Sequence, residues 1–308
     1  MQRNVLVCGG SGQVGQELAR QSWPEGLRPD LPDRASLDIT DRDAIRSYFR
    51  ENGSNLAAVI NCAAYTAVDK AEADPGPAYL ANAQGPAWLA EECRRHDLPL
   101  VQVSTDYVFD GTSPGFYGED ARPAPLGVYG SSKFAGEIAV LASNPRTVVL
   151  RTAWVISPFG QNFLKTMLRL GQEREELRVV ADQLGCPTSA GDIARSLITI
   201  CVRLIHDPSC PTGCLHFVNS GETSWYDLAN EVFRQAAKHG RAIPRLIAIS
   251  SSDYPTPARR PANSRLSTEK IKLQYGIMPR HWRDVVAEIV DELFGGQSGY
   301  AELKGENS

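Results

Sequence analysis

The sequence NVLVCGGSGQVG, at residues 4–15, decides the expected fold. Its apolar start is typical of a buried strand, and the glycines after it allow a tight turn into a helix. Glycines also let the backbone approach a pyrophosphate, while the N–H groups and positive dipole end of the helix hold negative charge. We therefore predict a dinucleotide-binding turn whose contacts are Gly9, Gly12, Gln13, Val14 and Gly15.

Apolar runs and helical patterns alternate downstream of this turn. The predicted strands are Asn4–Cys8, Ala57–Cys62, Leu100–Ser104 and Thr147–Arg151. The predicted helices are one that Thr40 opens with Asp43 in capping-box position, one at Pro77–His96 and one at Tyr129–Ala142. This alternation predicts an α/β fold, with a Rossmann-type doubly wound parallel sheet.

The second half is less regular and predicts a smaller C-terminal α+β substrate domain. Its expected helices are Asn162–Gln172, Asp192–His206, Ser224–His239, Ser267–Tyr275 and Trp282–Phe294. Prolines make Ser250–Pro261 an irregular loop, and the polar tail after Gly295 is expected to be disordered. The expected division is a dinucleotide-binding domain at 1–155, with contributions from about 189–236, and a mainly substrate-binding domain at 156–308.

Composition excludes several classes of partner. The chain has 308 residues, 42% of them hydrophobic, and a net charge of -4, which argues against nucleic acid and anionic membranes as partners. No apolar run reaches the roughly 20 residues that span a bilayer, and a strand begins too early for a signal peptide. The seven cysteines form no CxxC pair and are expected to be reduced core thiols in a cytoplasmic protein.

Two further segments belong to the predicted cofactor site. Asp38 precedes a helix, where its carboxylate either accepts from the adenine amine or only complements the helix dipole. Small residues in the segment Asn61–Tyr65 end the third strand, where they either leave space for a flat ligand at the carboxyl edge of the sheet or allow close helix packing. The cofactor contacts expected in this segment are Ala63, Ala64 and Tyr65. Asp33 favours NADH and Arg34 favours NADPH near the expected end of the second strand, so both cofactors remain open.

Tyr129 and Lys133 form a YxxxK pattern, which places a phenol and an ammonium on one helix face. A fixed cation stabilises a phenolate, so the pair is expected to act as a general acid with its helper. Thr105 ends the strand before them, where its hydroxyl can bond the substrate oxygen. These three residues are the predicted catalytic group.

The motifs GGSGQVG, NCAAYTAVDKAE, STDYVFDG, YGSSKFAGE, RTAWV and RPANSRL together resemble the dTDP-4-dehydrorhamnose reductases of the extended short-chain dehydrogenase superfamily. The resemblance covers about residues 4–294. It implies reduction of the C4 ketone of dTDP-4-dehydro-L-rhamnose to dTDP-L-rhamnose by NADPH or NADH. The implied substrate contacts are Thr105, Asp106, Tyr107, Trp154, Asn162, Arg260 and Asn263. The expected cofactor contacts are completed by Ile39, Asn82, Tyr129 and Lys133.

Two rival functions remain. Related sugar-nucleotide dehydratases use a glutamate, at the position of Tyr107, to protonate the leaving hydroxyl. Because this chain has no acid there, elimination would lack its proton donor. The family also resembles the regulatory chain of methionine adenosyltransferase, which would bind a cofactor without catalysis. Some relatives bind Mg²⁺ through glutamates at a dimer interface, but here Gly191 and Asp192 follow the corresponding turn. We therefore assign no metal ligand and leave an interface Mg²⁺ open, and a homodimer remains a further expectation.

Overall fold

A parallel sheet of six strands forms the centre of the fold. The computed structural model describes residues 2–295, so the tail predicted to be disordered lies outside the described residues. In chain order the strands are β1 (Arg3–Cys8), β2 (Leu27–Asp30), β3 (Leu56–Asn61), β4 (Leu100–Thr105), β5 (Thr147–Thr152), β6 (Val155–Ile156), β7 (Glu176–Val180), β8 (Leu184–Gly185), β9 (Thr188–Ser189), β10 (Gly213–His216), β11 (Thr223–Ser224) and β12 (Arg245–Ile249). The four predicted strands are confirmed as β1, β3, β4 and β5.

The strand order explains where a ligand can bind. Neighbours in the central sheet follow the order β10-β5-β4-β3-β1-β2, and every pair is parallel. From β1 the chain passes to β2 on one side and then to β3 on the other. The carboxyl ends of β1 and β3 therefore flank a topological switch point, where open α/β sheets bind ligands. The predicted Rossmann-type fold class is confirmed.

Eleven α-helices are present in residues 2–295. They are α1 (Gln13–Arg20), α2 (Arg42–Asn52), α3 (Val68–Ala73), α4 (Pro75–Tyr79), α5 (Gly85–Arg95), α6 (Val128–Ser143), α7 (Phe163–Glu173), α8 (Ala190–His206), α9 (Trp225–Lys238), α10 (Glu269–Tyr275) and α11 (Trp282–Gly295). The helix predicted at Tyr129–Ala142 is confirmed as α6. The five helices predicted in the second half are confirmed as α7 to α11, within a few residues at their ends.

The helix predicted at Pro77–His96 is confirmed as a continuous helical stretch over residues 75–95, but its middle is not α-helical. A π-helical turn at Leu80–Gln84 lies between α4 and α5. Pro86 lacks an N–H group and its ring disfavours a normal hydrogen-bond ladder to the preceding turn, so the backbone widens there. The widened turn also brings Asn82 O so close to Gly136 of α6 that a Cβ at Gly136 would lie 2.0 Å from it.

The predicted cap of α2 also needs correction. Asp41, not Thr40, is the N-cap, and its side chain accepts from the N–H groups of Asp43 and Ala44. Thr40 is already committed to Asp38, to which both its N–H and its hydroxyl donate. The carboxylate one residue later is therefore the free acceptor for the first turn.

The second half builds a separate core beside the sheet. Helices α7, α9 and α11 pack together through buried side chains that include Leu168, Val232, Phe233 and Val286. Strands β7 and β12 pair in parallel next to them, while β10 crosses back to pair with β5 in the central sheet. The predicted loop at Ser250–Pro261 is irregular apart from one 3-10 turn at Ser251–Asp253.

None of the helices in residues 2–295 is long and apolar enough to cross a membrane. All seven cysteines are unpaired thiols, and most are buried. Burial raises the pKa of Cys8 and Cys201 well above the usual thiol value, so these side chains act as small core residues.

Candidate active site

The glycine turn after β1 has the shape that a dinucleotide needs. Gly9 has a φ of +82°, and a Cβ there would lie 2.6 Å from Ala63 N. A Cβ at Gly15 would lie 2.2 Å from Gly9 O, so α1 packs directly on the turn. Gly12 is the N-cap of α1 and offers no side chain to the first N–H groups. Open N–H groups at the positive end of a helix suit a pyrophosphate, so the residues present fit the predicted cofactor.

Asp38 lies in the segment between β2 and α2, and both of its carboxylate oxygens accept hydrogen bonds. Its Oδ1 accepts from Thr40 N at 2.8 Å, and its Oδ2 accepts from Arg34 Nε at 2.9 Å. Burial acts to raise its pKa, but the hydrogen bonds from Thr40 and Arg34 outweigh burial and hold the pKa below the usual value. The side chain of Ile39 is buried in the core, which leaves its backbone for the predicted cofactor contact.

Asn82 supports the segment after β3 and does not face the crevice with a free amide. It is 1% exposed. Its Oδ1 accepts from Tyr65 N at 2.8 Å, and its Nδ2 donates to Tyr65 O at 3.1 Å and to Ser132 Oγ at 3.0 Å. This differs from the predicted cofactor contact, because the buried amide is committed to fixing the Tyr65 backbone. Ala63 and Ala64, before Tyr65, keep their places at the sheet edge beside the turn.

Asp30 is a residue that sequence reasoning missed. Strand β2 ends at Asp30, before Asp33 and Arg34, which corrects the expected end of the strand. The Asp30 carboxylate accepts a hydrogen bond from the Tyr48 hydroxyl. The next residue, Leu31, contacts the glycine turn, since a Cβ at Gly10 would lie 3.0 Å from its Cβ. An acidic strand end beside the turn could have been found in LRPD, but the prolines there obscured it.

The structure brings Thr105 and Tyr129 together. Thr105 is the last residue of β4, and Tyr129 lies in the first turn of α6. Burial raises the pKa of Tyr129 above its usual value, and a side-chain hydrogen bond with Thr105 opposes that rise. Tyr129 therefore carries its proton at neutral pH, as a general acid must.

Lys133 lies one turn further along α6, and its Nζ donates to Val103 O at 2.7 Å. Burial lowers its pKa to about 8, although the charge of Glu137 opposes the change. Val103 O therefore holds the ammonium at the sheet. The stabilisation of the Tyr129 phenolate by Lys133 stays a prediction.

Asp106 is buried beside the catalytic pair. Its Oδ1 accepts from Thr105 Oγ1 at 3.1 Å, whereas its Oδ2 has no hydrogen-bond partner in the described part of the chain. Burial raises the pKa of Asp106 to about 6, against the opposing effect of the neighbouring Ser264 and Thr105 side chains. An unpaired buried carboxylate oxygen is costly, and a sugar hydroxyl is a suitable donor to it.

Arg260 reaches the same place from the proline-rich loop. Its Nη1 donates to the Tyr107 hydroxyl at 3.3 Å, and its Nη2 pairs with Asp69 Oδ2 at 2.7 Å. Sequence reasoning identified Arg260 and Tyr107 but missed Asp69, which is 191 residues away along the chain. The guanidinium is therefore held in a fixed orientation at the mouth of the site.

Trp154 is a strained residue with one ring face covered. Its φ is +49°, a conformation that costs a non-glycine residue about 1–2 kcal/mol. Its ring stacks on Trp225 at 3.5 Å between centroids, and a Cβ at Gly185 would clash with it. Trp225 was not predicted, and it limits Trp154 to its remaining exposed surface for a substrate contact.

The two predicted substrate asparagines make several protein contacts. Asn162 caps α7 through Oδ1 and donates from Nδ2 to Gln13 Oε1 at 3.0 Å, linking the glycine turn to the second half of the chain. Asn263 Nδ2 donates to Ser113 O and Gly115 O, at 2.8 Å and 2.7 Å. Both amides therefore fix neighbouring segments around the site.

Comparisons with known proteins give a consistent result. The model of the RmlD substrate binding domain family matches residues 3–294. The chain is 43% identical over 288 residues to the dTDP-4-dehydrorhamnose reductase of Sinorhizobium fredii, with 93% of this chain and 96% of that protein covered. It is 38% identical over 296 residues to the reductase of the same name from Escherichia coli, with 94% and 98% covered.

Solved structures agree with these relatives. The dTDP-4-dehydrorhamnose reductase of Bacillus anthracis in complex with NADP has a TM-score of 0.87 and 34% identity, with 95% of this chain and 100% of that chain covered. A UDP-glucose 4-epimerase from Thermus thermophilus in complex with NAD has a TM-score of 0.77 at 22% identity, with 96% and 99% covered. The second likeness concerns the fold alone.

Proposed function

This chain belongs to the dTDP-4-dehydrorhamnose reductase family, and from that membership we propose how its own residues carry out the reaction. The chain is an oxidoreductase that reduces the C4 ketone of dTDP-4-dehydro-L-rhamnose to dTDP-L-rhamnose, with NADPH or NADH as cofactor. The relatives give no support to a non-catalytic regulatory subunit.

The observation that carries the proposed mechanism is the closeness of Thr105 and Tyr129 at the carboxyl edge of β4, where burial raises the pKa of the phenol and the Thr105 side chain opposes that rise. When bound, the nicotinamide cofactor supplies the hydride that reaches C4 of the sugar. Tyr129 donates its proton to the former ketone oxygen, and the Thr105 hydroxyl steadies that oxygen as negative charge develops. Burial keeps the Tyr129 phenol protonated until this step.

The glycine turn and its neighbours hold the cofactor in this proposal. The N–H groups of α1 bind the pyrophosphate, and Asp38 accepts from the adenine end. Lys133, whose Nζ already donates to Val103 O, has further N–H groups for the ribose next to the nicotinamide. The complete set of proposed cofactor residues is Gly9, Gly12, Gln13, Val14, Gly15, Asp38, Ile39, Ala63, Ala64, Tyr65, Tyr129 and Lys133, while Asn82 fixes the backbone of Tyr65.

The substrate lies on the other side of Tyr129 in this proposal. Asp106, with one unpaired buried oxygen, accepts from a sugar hydroxyl. Arg260 binds the diphosphate, because a planar guanidinium donates to two oxygens at once. Tyr107 and Trp154 complete the walls, and Asn162 and Asn263 hold the segments that carry them.

The remaining proposals concern the location, the partners and the domain division of the enzyme. Free thiols at all seven cysteines support a reducing compartment, and we propose a cytoplasmic location. We propose a homodimer and leave an interface metal open, and a net charge of -4 supports the expectation of no nucleic acid partner. For the division into residues 1–155, with additions from about 189–236, and residues 156–308, the packing of α8 and β10 with the central sheet supports the added segment up to His216. We propose that α9 belongs to the substrate-binding part, because it shares a core with α7 and α11.

A coupled assay tests the function directly. The purified chain is mixed with dTDP-4-dehydro-L-rhamnose and either NADH or NADPH, and the absorbance at about 340 nm and the sugar product are followed in parallel. Cofactor oxidation with formation of dTDP-L-rhamnose is expected. Tight cofactor binding without turnover would contradict the assignment and favour a regulatory protein.

A further inference from the structure

The short helix α3 contains two carboxylates that the proposed mechanism does not use. Asp69 and Glu72 stand in the segment VDKAEA, three residues apart. Residues at this spacing share one side of a helix. Each carboxylate accepts hydrogen bonds from a different segment next to the active site.

Glu72 bonds the start of the catalytic helix. Its Oε1 accepts from Val128 N at 2.8 Å, and Val128 is the first residue of α6. The N-cap of α6 is Gly127, which has no side chain to satisfy that N–H group. A Cβ at Gly127 would lie 2.4 Å from Glu72 Oε1, so glycine makes room for a cap that comes from another helix. Tyr129 follows directly in the same helical turn.

Asp69 bonds the proline-rich loop at two points. Its Oδ1 accepts from Ala258 N at 3.1 Å, and its Oδ2 pairs with Arg260 Nη2 at 2.7 Å. Arg260 Nη1 also contacts the Tyr107 hydroxyl at 3.3 Å. Two of the five guanidinium N–H groups thus bond to the protein and fix the orientation of the group, and the other donors are left for a ligand.

The ion pair is half-exposed, and this decides what it can do. The side chain of Asp69 is 40% exposed and that of Arg260 is 24% exposed. Water and salt screen such a pair, so its contribution to folding is small. Its effect lies in geometry, because a guanidinium held in one orientation loses less conformational freedom when it binds an anion.

We propose that α3 is a brace, in which Asp69 positions Arg260 for the substrate diphosphate and Glu72 positions the Tyr129 turn of α6. The inference rests on the proposed roles of Arg260 and Tyr129. It assigns the two carboxylates to different kinetic parameters. Asp69 acts on substrate binding and changes KM, whereas Glu72 acts on the proton donor and changes kcat.

Asp69→Asn is the most direct test of the role of Asp69. The amide oxygen still accepts from Ala258 N–H, so the loop stays attached, but the charge that orients Arg260 is lost. We expect KM for dTDP-4-dehydro-L-rhamnose to rise about fivefold, with kcat within about twofold of the wild type. Asp69→Ala removes both bonds and is expected to raise KM further, by tenfold or so. Thermal unfolding of each variant checks that the fold is intact.

A double-mutant cycle separates this inference from the proposed function. If Asp69 acts through Arg260, Asp69→Asn has no further effect on KM in an Arg260→Ala background. An unchanged KM in Arg260→Ala alone would remove Arg260 from the proposed binding site. A raised KM in Arg260→Ala, together with an unchanged or lower KM in Asp69→Asn, would overturn only the brace.

The role of Glu72 is tested with Glu72→Ala, and Glu72→Gln is the conservative variant. The glutamine oxygen can still accept from Val128 N–H, so we expect near-normal kcat in Glu72→Gln and a fall of about fivefold in Glu72→Ala, with little change in KM. Asp41→Ala is the matched control, because it removes the N-cap of α2 without touching α6. If Glu72→Ala lowers kcat no more than Asp41→Ala does, Glu72 is merely a structural cap and this arm of the proposal fails.

Discussion

The ring of Tyr107 lies edge to face against the ring of Tyr129, with 5.4 Å between centroids and 77° between the ring planes. The two hydroxyls nevertheless go to different partners. The Tyr107 hydroxyl accepts from Arg260 Nη1, whereas the Tyr129 hydroxyl lies near Thr105. In the proposed mechanism the two tyrosines therefore have separate roles, since Tyr107 faces the residue that binds the substrate and Tyr129 faces the reacting oxygen.

This difference predicts that replacing each tyrosine by phenylalanine changes a different kinetic parameter. Tyr129→Phe removes the proton donor, so kcat is expected to fall at least about 10²-fold while the dissociation constant of the cofactor stays nearly unchanged. Tyr107→Phe is the matched control, since it removes a hydroxyl from the adjacent ring and should mainly raise KM. Steady-state kinetics and cofactor titration measure both. Near-normal turnover in Tyr129→Phe would exclude the tyrosine as the acid.

Asp106 should make the protein less stable as the pH rises. Burial raises the pKa of its carboxyl to about 6, so the folded state binds a proton that the unfolded state has already lost. The resulting stability is fully present below the unfolded pKa and is lost as the pH rises through about 6. Asp106→Asn removes the buried charge and should be more stable than the wild type at neutral pH, by about 1–3 kcal/mol.

Urea unfolding near the two ends of this range tests the prediction for Asp106. The advantage of Asp106→Asn should shrink at pH values near the unfolded pKa, where the wild-type carboxyl is also neutral. The variant should lose activity even though it gains stability, because the amide replaces an acceptor for the sugar. An advantage that is the same at both pH values would show that burial does not shift this carboxyl.

Lys133 sets a basic limit on activity. Burial lowers the pKa of Lys133 to about 8, while Glu137 from its own helix and Cys62 after β3 act to raise it. Its Nζ donates a hydrogen bond to Val103 O. Above that pH the side chain loses its positive charge and one donor for the cofactor ribose. We expect kcat/KM for the cofactor to fall above about pH 8. In Lys133→Arg the guanidinium stays charged, so the fall at this pH should disappear even if overall activity is lower.

Local sequence patterns predicted the parts of the site that lie within single elements. The glycine turn, Thr105 at a strand end and the Tyr129–Lys133 spacing each follow from a short motif, and the structure has the expected elements around them. The strand alternation also predicted the parallel sheet. These successes share one cause, which is that backbone periodicity fixes such features without distant contacts.

Pairings across the chain could not be predicted in this way. Asp69 and Arg260 are 191 residues apart, and Gln13 and Asn162 are 149 apart. No local pattern indicates which distant side chain will satisfy a guanidinium or an amide. Exposure misled as well, because Asn82 is a polar residue that the fold buries completely and occupies with Tyr65 and Ser132.

The last prediction concerns the choice between NADH and NADPH, and it follows from the corrected end of β2. Asp30 ends that strand, and Leu31 after it packs on Gly10 of the glycine turn. A carboxylate at this place accepts from the free ribose hydroxyls of NADH and repels the 2′-phosphate of NADPH. Asp30→Ala should therefore raise the ratio of kcat/KM with NADPH to kcat/KM with NADH about tenfold.

Asp33→Ala is the control for this experiment. Asp33 lies beyond the strand end, where its carboxylate accepts from Ser36 N at 2.8 Å, so its loss should leave the cofactor ratio nearly unchanged. Because the Asp30 carboxylate also accepts from the Tyr48 hydroxyl, Tyr48→Phe should leave Asp30 less firmly held and move the ratio in the same direction by a smaller factor. A larger change in Asp33→Ala than in Asp30→Ala would show that the ribose is recognised from the loop and not from the end of β2.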